Sequence, residues 1–161
     1  MKAKSTVYDL TRWVCFGAGV LCLSIMFGGN SVSNAKPEDV AAAVVETIDM
    51  TNMVEADNQM VKRLYGLDPS SFEGCILYYP TTNMMAEEVL IVKLADMSQQ
   101  DAVRAAAEKR LATQKTTFEG YGVEQFDMLT NHSVIEVRGN FVLFVVNANC
   151  DAALKAFRKA L

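Results

Sequence analysis

Past residue 36 the chain switches repeatedly between two hydrophobic periods. Val40, Val44, Val45 and Ile48 recur at helical spacing behind Pro37, Glu38 and Asp39, a proline and two acids that suit the first turn of a helix. A second short helix is expected over Glu55 to Leu64, stopping at Gly66, and Asp68-Pro69 marks a loop. Cys75–Tyr79 and Val89–Leu94 read as strands. Ser98, with Asp101 three residues on, resembles a capping box that opens the longest helix, to about Glu119, with Val103, Ala107, Leu111 and Phe118 on its apolar face. Gly120 and Gly122 end it, and Val123, Phe126 and Leu129 suggest one or two further turns. Ser133–Arg138 and Phe141–Asn147 are strands joined by the two-residue hairpin Gly139-Asn140. Asn149–Leu161 closes the chain as a helix with Ala153, Leu154 and Phe157 on its buried side. The order α-α-β-β-α-β-β-α predicts an α+β domain with a four-stranded antiparallel sheet packed with helices. VLIV and FVLFVVN are apolar on both faces, which predicts central strands covered by helices on both sides; the alternative is a sheet face that meets a partner.

The N-terminus has a different pattern. Residues 1–12 carry Lys2, Lys4 and Arg12 against Asp9, and Trp13 to Gly29 then runs for 17 residues without a charge. At ~1.5 Å per residue that run spans about 25 Å, close to a bilayer core of ~30 Å. The expectation is a cytoplasmic tail (1–12), a transmembrane signal anchor (13–29) contacting the lipid bilayer, a short linker (30–36) and an extracytoplasmic domain (37–161). The chain would then be a single-pass protein of the cell membrane with its C-terminal domain outside. The alternative is a secreted protein cleaved near Ala35, with Ser33-Asn34-Ala35 as the small-residue site.

Charge narrows the partners. Residues 36–161 hold 12 Lys+Arg against 18 Asp+Glu, a net of −6, in a chain of net −4. Such a domain lacks the basic footprint that nucleic acid requires, and it does not dock on anionic lipid through charge.

Candidate chemistry is sparse. His132 is the only histidine, and with Cys75 and Cys150 scattered singly no metal-ligand spacing exists. No local motif joins Cys75 and His132 as nucleophile and base, EGYG at 119–122 sits where helix caps belong, and Glu87-Glu88 read as solvated loop acids. No catalytic residue, cofactor or metal is expected. Cys75 and Cys150 form a candidate disulfide if the first and last strands are antiparallel neighbours; otherwise they stay free as small core hydrophobes. Tyr78, Tyr79, Pro80, Asn83, Met84, Met85 and Glu87 make a candidate binding loop, because exposed methionines and aromatics mark adaptable interaction surfaces.

The stretches NQMVKRLYGLDPSSFEGCILYYPTTNMMAEEVLIVKL and SQQDAVRAAAEKRLATQKTTFEGYGVEQ, followed by the GN hairpin into FVLFVVN, resemble the domain-of-unknown-function family numbered 4358. The resemblance covers roughly residues 37–161. It implies a small exported, membrane-associated bacterial protein and carries no activity and no catalytic residue. The chain departs from lipoprotein-like relatives in having Val14 before Cys15 and Leu21 before Cys22, where a lipidated cysteine follows a small residue. The resulting expectation is a binding or assembly module with a protein or peptide partner in the cell envelope. A cell-envelope enzyme is the alternative.

Overall fold

The two strands that are apolar at nearly every position occupy the middle of the sheet. In the computed structural model, which describes residues 32–161, β3 (Glu88–Lys93) pairs along its whole length with β5 (Phe141–Val146). All six β5 side chains are fully buried. Alternation splits these strands between two cores. Leu90, Val92, Val142, Phe144 and Val146 face one layer; Val89, Ile91, Phe141, Leu143 and Val145 face the other. Each such side chain contributes about 1.5–3 kcal/mol of burial, so the double-faced centre dominates the fold's stability.

Helices cover both faces. On one side lie α1 (Pro37–Val45) and α5 (Cys150–Ala160), which pack through Val40, Val44, Ala153 and Phe157. On the other lie α2 (Asn58–Tyr65), α3 (Gln100–Phe118) and α4 (Val123–Asn131), contributing Val61, Tyr65, Val103, Ala107, Phe118 and Leu129. α2 is set locally: the Asp57 carboxylate accepts from Met60 N at 2.8 Å, and Gly66 closes the helix in the left-handed conformation at φ 69°. β2 (Gly74–Pro80) passes so close beneath α1 that a Cβ on Gly74 would lie 2.3 Å from Pro37 Cγ, so only glycine fits there.

The expected four-stranded sheet is corrected to five strands in the order β1-β2-β3-β5-β4, all antiparallel, with β4 at Ser133–Arg138. The added edge strand β1 (Met53–Glu55) pairs with Tyr78–Pro80. Three residues with a single buried side chain give no readable alternation. The helix expected from Glu55 begins instead after the Asp57 cap, and Glu55 belongs to β1. The element order is α-β-α-β-β-α-α-β-β-α. The box before α3 is also displaced: Asp96, not Ser98, caps the turn, with Gln99 reaching back. The transmembrane segment expected at 13–29 lies outside the described residues. Among the described residues no helix is long and apolar enough to cross a membrane.

Candidate functional site

Glu88 opens β3 on the same face as Leu90 and Val92, and that parity points a carboxylate into the helix layer. It is fully buried. Tyr65, the last residue of α2, donates its hydroxyl to Glu88 Oε1 at 2.5 Å. From α3, Arg110 and Gln114 lie one turn apart and reach the same group. Arg110 donates Nε–H to both oxygens at 3.1 Å and Nη2–H to Oε2 at 2.8 Å, and Gln114 donates Nε2–H to Oε2 at 2.9 Å. A forked guanidinium suits a carboxylate in this way. Burial, and then the charge and hydrogen bond of Glu88, raise the Tyr65 phenol well above its ordinary value, so it remains a neutral donor. Burial works against the Arg110 charge, but the hydrogen bond and charge of Glu88 outweigh it and raise its pKa. Both Glu88 oxygens are engaged, so this acid is a structural keystone and not a proton acceptor for a ligand. Gln114 Oε1 is buried without a partner among the described residues.

Above the network lies a cleft of about 330 Å³ between α2, the β2–β3 loop and the C-terminal end of α3. Its walls include Arg63, Arg110, Gln114 and Tyr121, together with four of the residues expected in the binding loop: Tyr79, Pro80, Asn83 and Met85. Among the described residues no carboxylate lines it. Arg63 is exposed; it donates to Met60 Sδ at 2.9 Å and pairs with no carboxylate among the described residues.

The remaining loop residues go elsewhere. Met84 is 67% exposed and stands outside the cleft walls. Tyr78 packs against the opposite core, beside Glu55 of β1, and burial followed by that acid raises its phenol pKa. Glu87 lines a separate hollow of about 210 Å³ with Asp49 and Asn52, where its Oε2 has no partner among the described residues. The reading of Glu87-Glu88 as solvated loop acids is therefore corrected for Glu88, which lies in a strand and in the core. The signal was present: Ala107, Arg110, Gln114 and Phe118 continue one stripe of α3, and a buried stripe carrying Arg and Gln requires an acceptor opposite.

The cysteines do not meet. β3 separates β2 from β5, and those two strands run in the same direction, not as antiparallel neighbours. Cys75 pairs with Val92 near one end of β3; Cys150 follows the end of β5 that pairs with Glu88, and it belongs to the opposite core. Two strand spacings alone place them about 10 Å apart, beyond the ~7 Å limit for a bridge. Both thiols are free. Burial pushes the Cys75 thiol up to about 12 and also raises that of Cys150, where the charge of Asp151 adds. The expected result with iodoacetamide at neutral pH is slow alkylation of both in folded protein and fast alkylation in denaturant, read by peptide mass. A Cys75–Cys150 cross-linked peptide from non-reduced protein would contradict this arrangement. His132 ends α4, its N–H donating to Met128 O, and no metal-ligand cluster occurs among the described residues.

Residues 46–147 match the family described as Domain of unknown function (DUF4358). That span holds the whole sheet and all four residues of the Glu88 network, and leaves out α1 and α5. No curated protein and no solved structure matches the chain. With more than half of its length matched, the chain belongs to the DUF4358 family.

Proposed function

We propose that the domain is a binding module of the cell exterior, whose cleft takes an acidic, partly apolar segment of a protein partner. The observation that carries this reading is the charge of the cleft. A domain of net −6 has here a concavity that no carboxylate lines among the described residues; of its two arginines Arg110 is neutralised by Glu88 beneath it, and Arg63 has no such partner. Arg63 offers a guanidinium with no carboxylate partner among the described residues, while Met60, Leu64, Tyr79, Pro80 and Met85 offer apolar contact. Charge complementarity of this kind selects partners and speeds encounter. The enzyme alternative requires a titratable group open to a ligand, and the network's acid has both oxygens occupied. The basic tail and uncharged run ahead of residue 30 support an exported position, held at the membrane or released. Fractionation of the producing cells into membrane and medium separates those two.

The test uses the full chain and a terminally blocked, fluorescent peptide alternating glutamate with leucine and tyrosine. Binding is followed by anisotropy, with the glutamine counterpart as control. The acidic peptide is expected to bind at least about tenfold more tightly than the neutral one. Arg63→Glu, at an exposed position, should remove that preference, and added salt should weaken it. Equal binding of the two peptides, or full preference in Arg63→Glu, would overturn the proposal.

A further inference from the structure

The residues just ahead of α1 do not behave as a linker. Ser33 is buried although it precedes every helix and strand of the domain. Its N–H donates to Asn140 Oδ1 at 2.8 Å, and Asn140 Nδ2 donates back to its carbonyl at 3.2 Å, across 107 positions of sequence. This is a two-bond clasp between the backbone N–H and C=O of one residue and one side-chain amide. The Ser33 hydroxyl donates to Leu161 O at 3.1 Å and accepts from Ala35 N at 3.1 Å, while Ala35 packs against the core beneath α1 and α5. Asn140 is itself buried in the β4–β5 hairpin, and its carbonyl accepts from Leu94 N. Residues 33–35 thus fasten the hairpin to the end of α5, while Asn140 itself ties the hairpin to the end of β3.

We infer that Ser33–Ala35 is a structural segment of the mature domain, so that any processing of the N-terminal segment falls upstream of Ser33. Cleavage after Ala35, which the small residues of Ser33-Asn34-Ala35 would allow, removes both partners of the Asn140 amide and uncovers the core surface on which Ala35 rests. The clasp also has a direction. It sits at the Lys93–Phe141 end of the sheet, whereas the cleft lies at the Pro80–Glu88 end on the other face. Residue 32 therefore enters the domain at the end remote from the cleft.

Protein purified from the producing cells gives the direct test, by intact mass and N-terminal sequencing. The expected mature chain includes Ser33; a chain beginning at Lys36 overturns the inference. A thermal-unfolding cycle in the full chain tests the clasp itself. Asn140→Ala removes the amide, and Ser33→Pro removes the N–H that meets it. Each is expected to lower Tm by about 2–8 °C, and the pair by little more than either alone. Unchanged Tm in both single variants, or strictly additive losses, would show that the segment does not clasp the hairpin.

Discussion

Arg110→Ala is expected to cost about 3–5 kcal/mol in denaturant unfolding, more than truncating any exposed ion pair in the domain. Glu88 is fully buried, and Arg110 is its only cation among the described residues. Removing the guanidinium leaves a carboxylate in the core with two neutral donors, Tyr65 and Gln114, and no opposite charge. By contrast, Arg104 with Glu108 and Lys62 with Asp68 are exposed pairs, where screening by solvent leaves little to lose. The second variant decides the mechanism. Adding Glu88→Gln to Arg110→Ala should recover much of the loss, because the amide carries no charge and still accepts from Tyr65. If the double variant is no more stable than Arg110→Ala alone, the loss came from packing of the arginine stem and not from the orphaned acid. The network also fixes a direction with pH. Tyr65 has a raised pKa in the folded state, so its contribution is complete below the unfolded value of 10 and declines as pH rises above it.

How much of this was readable beforehand differs by element. Where burial alone dictates residue type, the pattern sufficed. The unbroken apolar run of β5 announced a strand covered on both faces, and Gly139-Asn140 announced its hairpin. β1 was not legible, because a three-residue edge strand with one buried side chain owes its existence to pairing with Tyr78–Pro80 and not to its own sequence. The cysteine pairing failed for a topological reason. Strand order is set by packing across the sheet, and inserting β3 between β2 and β5 moves Cys75 and Cys150 to opposite ends and opposite faces. The loop Tyr78–Glu87 was visible as polar and methionine-rich, but single side chains within it point to three different places. Tyr79, Pro80, Asn83 and Met85 reach the cleft, together with Thr82, which was not among the expected binding residues. Its other wall comes from α2 and α3, far away in sequence. Glu88 illustrates the general difficulty: next to Glu87 it reads as surface charge, and its role appears only when its parity with Leu90 is combined with the stripe of α3.

Phe144→Ala provides the largest test of the double-faced sheet itself. Phe144 is fully buried at the centre of β5, opposite Leu90 on β3 and Ile135 on β4. Its ring meets that of Tyr65 edge-on, with centroids 6.4 Å apart and planes at 74°. The substitution deletes a large apolar group from a site walled by two neighbouring strands and a helix, and none of these can move inward without breaking backbone pairing. Such truncations cost about 3–5 kcal/mol. Part of the loss should travel to the Glu88 network, because the Phe144 ring supports the phenol that donates to Glu88. Phe144→Leu, which keeps most of the volume, should retain most of the stability and separate packing from the aromatic contact. Combining Phe144→Ala with Tyr65→Phe is expected to be non-additive, since the Phe144 ring supports the phenol whose hydroxyl Tyr65→Phe removes. A loss below about 1 kcal/mol for Phe144→Ala would place this side chain outside a packed core. The helix layer of α2, α3 and α4 would then not cover the sheet as described, and the cleft that rests on it would lose its floor.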